Sequence, residues 1–296
     1  MKNNRPIRKV VIILKPGIVA PLRKVLPPII DLLKEQQVFF KMQESHRLKK
    51  ILAAKQYAKI SFIENNKICP GCDLLISLGG DGTLIGACRE IGENKIPIFG
   101  VNVGHLGFIT EFSVSNFIST LKIALSGKYQ TYRIPLFSVK ICKETEVLSE
   151  HFFLNDAVIN KTDISRMFLL NVDVDDETIS RLVGDGIIVS SPIGSTAYSL
   201  SAGGPIIHPA VCSFVLTPIC PHSLLSRPTV IPDSVKISFT INERDYPVTV
   251  TVDGQQVVAL HKDQKITISK SDKYVLFIKN SAKTYFSTLR EKFTYG

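Results

Sequence analysis

The stretch Leu74-Leu75-Ile76-Ser77-Leu78-Gly79-Gly80-Asp81-Gly82-Thr83 decides the fold of the first half of this chain. Its apolar part has the length of a buried strand. The glycines that follow leave backbone N–H groups that a phosphate can approach without meeting a Cβ. Because phosphates repel carboxylates, we interpret the single acid of this turn as a base or as an indirect magnesium contact. The junction therefore indicates phosphoryl transfer.

Apolar strand-like runs alternate with helix-like segments around this junction. The predicted strands are 9–14, 38–42, 74–78 and 96–101, and the predicted helices are 20–36, 46–59, 83–92 and 113–126. Such alternation is typical of a Rossmann-like parallel sheet with flanking helices, so we predict an α/β domain over residues 1–126. Pro27 and Pro28 should kink the first helix or delay its start.

The pattern changes beyond about Gly127. The predicted strands here are 132–143, 147–160, 164–174, 247–252, 265–268 and 274–278. They are rich in Val, Ile, Thr and Phe and are separated by turn residues, which predicts a β-rich, β-sandwich-like domain over residues 127–280. Residues 284–293 look helical again. The segment 281–296 could therefore pack back on the first domain.

Composition limits the classes of partner. The 296 residues include 36 basic and 26 acidic side chains, and the net charge of +10 favours anionic ligands such as nucleotides. We expect no nucleic-acid partner, because no recognition module or interleaving of aromatic and basic residues accompanies the charge. No stretch reaches membrane-spanning length, and the apolar run Val10–Leu14 is too short for a signal peptide, so we expect a cytoplasmic protein without a membrane partner. We interpret Cys69-Pro70-Gly71-Cys72 as a surface turn with reduced thiols rather than a redox or zinc motif.

Gly79–Thr83 is neither of the common glycine-rich nucleotide motifs. No Gly-Lys-Ser/Thr follows it, so no lysine is placed to neutralise the β and γ phosphates. The dinucleotide fingerprint would need its glycines after the first strand of the unit. A second strand-to-loop junction lies at residues 98–108. We expect Asn102 and the glycines after it to face Asp81 across one crevice, while His105 contacts phosphate or is structural.

Two further blocks offer polar groups for a nucleoside. The hydroxyl-rich turn in Gly184–Pro205 suits ribose or amide recognition, or is only a capped helix start. Asn155 and Asp156 suit vicinal sugar hydroxyls or an adenine amino group, or form a turn. Asp253-Gly254-Gln255 allows the same two interpretations, and the local sequence favours a hairpin turn.

Taken in order, these blocks resemble the NAD kinase family from about Lys9 to the C-terminus. The most specific part is Gly184–Pro205. The resemblance implies transfer of the γ-phosphoryl group of ATP, or in some members of inorganic polyphosphate, to the 2′-hydroxyl of the adenosine ribose of NAD, which gives NADP. It also implies Mg²⁺ or another divalent cation, and a homodimer or homotetramer in which a neighbouring chain completes the NAD pocket.

The resemblance also assigns roles to residues. Asp81 would be the general base, and no protein ligand to a metal is implied. The implied substrate- and nucleotide-binding residues are Gly79, Gly80, Gly82, Asn102, Asn155, Asp156, Arg166, Asp185, Thr196, Ala197, Tyr198, Ser201 and Gln255. Among these, the glycines would cradle phosphates and Tyr198 would stack on a base. Ile193 and Val183 stand where many members carry a hydroxyl residue and a basic residue, and we expect this to affect substrate affinity.

Two other functions compete with this one. Lipid kinases of the diacylglycerol or sphingosine type share Gly-Gly-Asp-Gly, but they usually continue with Thr-x-Asn-Glu, whereas Thr83 here precedes Leu84-Ile85-Gly86. A non-catalytic regulator that binds NAD or NADP could keep the pocket without turnover. The intact Asp81 argues against that alternative.

Overall fold

The structure is a computed structural model that describes residues 2–3, 5–15, 20–43, 48, 52, 60–63, 71–91, 95–104, 107–115, 117–162, 168–241 and 247–293. The chain forms two compact units, Met1–Ile134 with Tyr274–Gly296, and Pro135–Lys273. The sequence predicts domains over residues 1–126 and 127–280 and a C-terminal segment over 281–296. These limits stay a prediction. No helix among the described residues is both long and apolar enough to cross a membrane.

The first unit is built on a parallel sheet. Its strands in spatial order are Ser61–Ile63, Phe39–Gln43, Lys9–Leu14, Leu74–Gly79, Pro97–Asn102 and the last residues of Gln264–Ile278. The short strand Phe112–Ser113 pairs with Pro97–Asn102, and Lys2–Asn3 pairs antiparallel with Tyr129–Lys143. Every residue of Leu74–Gly79 is buried. A central parallel strand is covered on both faces, which explains why its sequence is apolar without alternation.

In the part of the first unit that the structure describes, the helices are Ala20–Glu35, Asp81–Ile91, Phe117–Leu125 and Tyr285–Phe293. Ala20–Glu35 and Phe117–Leu125 contribute apolar side chains to the core of the unit. The first of them runs through Pro27 and Pro28, so the expected delay of its start is wrong. Leu22, Leu26 and Ile29 on this helix are fully buried in the core of the unit. We infer that tertiary packing holds the helix across the two prolines, as it commonly overrides intrinsic propensity.

The order of the strands places a ligand site at the glycine turn. From Lys9–Leu14 the chain adds Phe39–Gln43 and then Ser61–Ile63 on one side, and it then places Leu74–Gly79 on the other side. The strand order thus reverses between Lys9–Leu14 and Leu74–Gly79. Ligands of open parallel sheets bind beyond the carboxyl ends of the strands at such a reversal. Gly80 and Asp81 follow directly at this end.

The second unit consists of two antiparallel sheets. One has the order Thr229–Pro232, Ser213–Ile219, Gly186–Ser190, Asp156–Lys161, Val248–Val252 and Gln256–Leu260, and the other contains Glu177–Gly184, Phe168–Val174, Ile237–Ile241, Glu146–Phe153 and parts of Gln264–Ile278 and Tyr129–Lys143. Residues of both sheets share one apolar core, in which the rings of Phe137 and Phe214 lie 4.9 Å apart. The two units together confirm the predicted fold class.

Several element boundaries differ from those expected. The single strand predicted over 147–160 is two strands, Glu146–Phe153 and Asp156–Lys161, whereas 265–268 and 274–278 belong to one strand, Gln264–Ile278. Cys72 is a buried thiol that donates to the carbonyl of Leu74, so the interpretation of a surface turn is wrong at this residue. Cys69 and most of the predicted helix 46–59 lie outside the described residues.

Candidate active site

Asp81 is the first residue of the helix Asp81–Ile91, and Gly80 alone separates it from the strand Leu74–Gly79. The carbonyl of Gly80 accepts hydrogen bonds from the amides of Thr83 and Leu84, which closes the first helical turn. An acidic side chain in the first turn interacts favourably with the helix dipole. The local sequence therefore places a half-buried carboxylate at the carboxyl end of a central strand.

Four donors of one loop hold the Asp81 carboxylate. Its Oδ2 accepts the amide of Phe108 at 2.7 Å. Its Oδ1 accepts the amides of Ile109 and Thr110 at 3.2 and 3.1 Å, and the hydroxyl of Thr110 at 3.2 Å. Each carboxylate oxygen offers about two lone-pair sites. Among the described residues Oδ1 is saturated, whereas Oδ2 keeps one acceptor site.

Glycine is required where this loop passes the carboxylate. A Cβ on Gly107 would collide with Oδ1 of Asp81 and with the hydroxyl of Thr110, and one on Gly79 would collide with the hydroxyl of Thr83. Gly80, in contrast, has open space where its Cβ would lie. Gly82 is exposed in the first turn of the helix. Among the described residues other than its chain neighbours, no atom lies within 4 Å of the Cβ position of Gly80, so its backbone is open on this side.

Asn102 joins the same network from the neighbouring strand. It is buried at the end of Pro97–Asn102, where its Nδ2 donates to the hydroxyl of Thr110 at 3.1 Å and its Oδ1 accepts the amide of Gly104 at 2.8 Å. Asn102 is therefore linked to Asp81 through the hydroxyl of Thr110, which bonds to both side chains, rather than by a direct hydrogen bond. His105 lies outside the described residues.

Charged groups surround this loop. The ammonium of Lys283 donates to the carbonyl of Thr110 at 3.2 Å, and the hydroxyl of Tyr132 donates to the carboxylate of Glu111 at 2.7 Å. Burial lowers the pKa of Lys283, while the charges of Glu111, Glu291 and Asp81 act in the opposite direction. Burial raises the pKa of Glu111, and burial together with the Glu111 carboxylate raises that of Tyr132.

The second unit contains a separate cavity of about 680 Å³. Its walls are formed by Asn155, Asp156, Val158, Asn160, Lys161, Asp185, Ala197, Tyr198, Ile219, Thr251, Asp253 and Gly254. The volume is in the range of small-molecule and cofactor sites. Asn155 Oδ1 and Lys161 Nζ are buried without a hydrogen-bond partner in the described chain, so the cavity wall carries unsatisfied polar groups that a ligand could satisfy.

Asp253 fixes the loop that carries Asn155 and Asp156. Its carboxylate accepts the amides of Leu154, Asn155 and Asp156 at distances of 2.7 to 3.2 Å. Asp253 begins the hairpin turn between Val248–Val252 and Gln256–Leu260 with a positive φ of 50°, which confirms the turn and which Asp tolerates better than most residues. Burial, with a contribution from the charge of Asp253, raises the pKa of Asp156 to about 7.

The hydroxyl-rich turn packs against the same loop. Ser191 donates its hydroxyl to the carbonyl of Leu154 at 2.6 Å, and its amide donates to the carbonyl of Asn155 at 2.8 Å. A Cβ on Gly194 would collide with the Asn155 backbone. The turn is therefore fixed in place, and Tyr198, which follows it, has 47% of its surface exposed at the cavity.

The structure brings only part of the expected binding residues to this cavity. Asn155, Asp156, Asp185, Ala197 and Tyr198 line it. Thr196, Ser201 and Gln255 belong to the same unit but are not among the lining residues, and Arg166 lies outside the described residues.

Sequence reasoning missed several residues of both sites. Val158 and Asn160 follow Asp156 at the two-residue period of a strand, so this alternation could have indicated them. Thr110 and Lys283 carry no local signal. Within the part of the chain that the structure describes, no group of three or more His, Cys, Asp or Glu residues could hold a metal ion.

Family models cover most of the chain. Residues 25–129 match the ATP-NAD kinase N-terminal domain, and residues 154–280 match the ATP-NAD kinase C-terminal domain. The chain is 35% identical to the NAD kinase of Solibacter usitatus over 285 residues, which are 96% of each protein. It is 40% identical to the NAD kinase of Magnetococcus marinus over 222 residues, which are 75% of this chain and 73% of that protein.

Solved structures share the fold. An NAD kinase from Archaeoglobus fulgidus in complex with ATP superposes with a TM-score of 0.72 at 28% identity, over 96% of this chain and 98% of that one. Yeast NADH kinase complexed with NADH shares the fold, with a TM-score of 0.85 at 23% identity over 99% and 89% of the chains. The chain therefore belongs to the NAD kinase family, whose members are phosphotransferases.

Proposed function

We propose that this member of the NAD kinase family transfers the γ-phosphoryl group of ATP to the 2′-hydroxyl of the adenosine ribose of NAD, with Asp81 as the general base. The observation that carries the proposal is the acceptor site that the described residues leave on Asp81 Oδ2, which takes one hydrogen bond from them while Oδ1 takes three. A carboxylate held in one orientation with a vacant lone pair is suited to accept a hydroxyl proton.

The step is an in-line displacement. The 2′-oxygen forms a bond to the γ-phosphorus while its proton passes to Oδ2 of Asp81. The bond from the γ-phosphorus to the bridging oxygen breaks, and ADP leaves with the electron pair. Positioning and electrostatic stabilisation supply most of the rate enhancement in such reactions. The open space at Gly80 would let the phosphates approach the backbone N–H groups of the turn.

The cavity of the second unit is assigned to the dinucleotide. Asn155 and Asp156 offer an amide and a carboxyl group to the adenosine portion, and the ring of Tyr198 offers a stacking surface for a base. Asp185 offers its carboxylate to the nicotinamide portion or its ribose. Thr196, Ala197, Ser201, Arg166 and Gln255 are retained as binding residues from the resemblance. The complexes of the two solved relatives, with ATP and with NADH, support these substrate classes.

In this proposal the magnesium ion is bound by ATP rather than by a cluster of protein ligands. The described residues provide no cluster of ligands for a metal, and all four contacts of Asp81 are hydrogen-bond donors. A divalent ion carried by the triphosphate oxygens fits this arrangement, and when bound it would neutralise charge on the phosphates. Purified protein titrated with Mg²⁺ in the presence and absence of ATP tests the assignment, because binding without nucleotide would contradict it.

Assembly and location are also proposed. We propose a homodimer or homotetramer, because Leu224 and Leu225 are neighbours in sequence and expose 84% and 90% of their surface. Light scattering after size-exclusion chromatography tests this, and a monomer at micromolar concentration would contradict it. A cytoplasmic location stays a prediction from the sequence.

The function is tested by product analysis. The purified chain is incubated with MgATP and NAD, and NADP is detected with a dehydrogenase that accepts NADP and rejects NAD. We expect NADP and ADP in equal amounts. Phosphorylation of diacylglycerol or sphingosine without NADP formation would favour the lipid kinase alternative, and NAD binding without any turnover would favour the regulator.

A further inference from the structure

The C-terminal segment brings a cation to the loop that holds Asp81. Lys283 precedes the helix Tyr285–Phe293, and its Nζ donates to the carbonyl oxygen of Thr110 at 3.2 Å. The two residues are 173 positions apart in sequence. The glycine turn has no lysine of its own, so Lys283 is a positive charge that the fold, rather than the local motif, places at this site.

The carbonyl that Lys283 binds belongs to the residue with the most contacts to Asp81. The amide and the hydroxyl of Thr110 both donate to Oδ1 of Asp81, and the hydroxyl also accepts Nδ2 of Asn102. Thr110 is 2% exposed. A displacement of its backbone would therefore move two of the four hydrogen bonds that orient the carboxylate.

The C-terminal segment, residues 280–293, also contacts the same loop on both sides of Thr110. Asn280 donates its Nδ2 to the carbonyl of Glu111 at 2.9 Å. On the other side, the ring of Phe293 lies 5.9 Å from that of Phe108, and the ammonium of Lys292 lies 5.3 Å from the Phe108 ring. Both ends of the segment 280–293 thus contact the loop 108–111 within the first unit.

An ion pair does not explain why an ammonium group lies at this position. Among the described residues Lys283 forms none, and its acceptor is a neutral carbonyl. Burial lowers its pKa despite the nearby charges of Glu111, Glu291 and Asp81. Partial removal of a charge from water costs free energy that a single neutral hydrogen bond offsets only in part. A role in the reaction would account for an ammonium at this position.

We propose that Lys283 is a positioning residue for phosphoryl transfer: its ammonium fixes the Thr110 backbone and thereby the loop that orients the Asp81 carboxylate. The inference rests on the proposed role of Asp81 as the base. It predicts an effect on the chemical step rather than on substrate binding, because Lys283 contacts Thr110 and not the dinucleotide cavity.

The test compares Lys283→Met, Lys283→Arg and a control, Lys122→Met. Lys122 lies in the same unit, and among the described residues its ion pair is the exposed one with Glu35 at 3.5 Å. We expect Lys283→Met to lower kcat about 10- to 100-fold, the scale of a misplaced catalytic group, with the KM values for NAD and ATP changed less than about threefold. Lys283→Arg keeps a charged donor and should recover most of kcat. Lys122→Met should match the wild type.

A double-mutant cycle with Asp81→Asn separates this inference from the proposed function. If Lys283 acts through Asp81, Lys283→Met lowers the residual turnover of Asp81→Asn much less than it lowers that of the wild type. Unchanged kcat in Lys283→Met would overturn the inference, and so would a raised KM for ATP at constant kcat. Full activity of Asp81→Asn would instead overturn the base assignment. Should Lys283→Met fail to fold, judged by lost NAD binding, Lys283→Gln provides the same comparison while it keeps an N–H donor.

Discussion

The amide and the hydroxyl of Thr110 both donate to Oδ1 of Asp81, at 3.1 and 3.2 Å, so one residue supplies two of the four contacts that hold the proposed base. Within the described part of the chain, these contacts saturate one carboxylate oxygen and leave an acceptor site on the other. The loop 107–110 therefore decides which oxygen of Asp81 can receive a proton.

Thr110→Val should lower kcat about tenfold, because it removes the hydroxyl that donates to Asp81 and that accepts the hydrogen bond from Nδ2 of Asn102. Thr110→Ser keeps the hydroxyl and serves as the control, with kcat within about threefold of the wild type. Steady-state rates of NADP formation measure both. Equal rates for the valine and serine variants would contradict the role of the hydroxyl.

Gly107→Ala should abolish most turnover, since its Cβ would collide with Oδ1 of Asp81 and with the Thr110 hydroxyl. The matched control is Gly104→Ala in the same loop, where a Cβ has open space. We expect the control to keep its activity and both variants to bind NAD. A Gly107→Ala enzyme as active as the Gly104→Ala enzyme would show that the close approach to Asp81 is unimportant.

The local parts of the site could be predicted from the sequence, and the parts made by distant residues could not. A buried strand followed by glycines and an acid is a local pattern, so Gly79, Gly80 and Asp81 stood out. Thr110 and Lys283 did not, because their roles arise from contacts 29 and 173 residues away in sequence. Part of the cavity wall could also have been predicted from the sequence, because Val158 and Asn160 follow Asp156 at the two-residue period of a strand and therefore face the same side.

Two elements were predicted wrongly because contacts between distant residues shape them. The predicted strand 147–160 breaks at Leu154 and Asn155 because their amides leave the sheet ladder and donate to Asp253, about a hundred residues later. The helix Ala20–Glu35 continues through two prolines while its buried leucines and isoleucines pack in the core. In both places tertiary contacts override a local preference.

Asp156 should make stability depend on pH. Burial raises its pKa in the folded chain to about 7, whereas an unfolded aspartate has an ordinary value near 3.8. The folded state therefore binds the extra proton between these values, and this contribution is complete below about pH 4 and is lost as the pH rises through about 7. Urea unfolding at several pH values should show the wild type losing stability relative to Asp156→Asn over that range, by at most about 1.4 kcal/mol per pH unit. A difference that does not change with pH would contradict the raised pKa.

Tyr198→Ala should raise the KM for NAD about tenfold or more with a smaller change in kcat, because base stacking on an aromatic ring contributes about 1–3 kcal/mol to binding. Tyr198→Phe keeps the ring and is the control. Both KM values come from initial rates at saturating ATP. If the alanine variant kept the wild-type KM, Tyr198 would not contact the substrate.

Asp81→Asn tests the central claim most directly, because asparagine is nearly isosteric and differs by the loss of the charge and of the proton-accepting carboxylate. NAD affinity is measured by calorimetry, and NADP formation by single-turnover kinetics with saturating MgATP. We predict NAD binding within about threefold of the wild type and a rate of phosphoryl transfer lower by about 10²- to 10⁴-fold, the contribution of a general base. A transfer rate close to that of the wild type would contradict the assignment of Asp81 as the base.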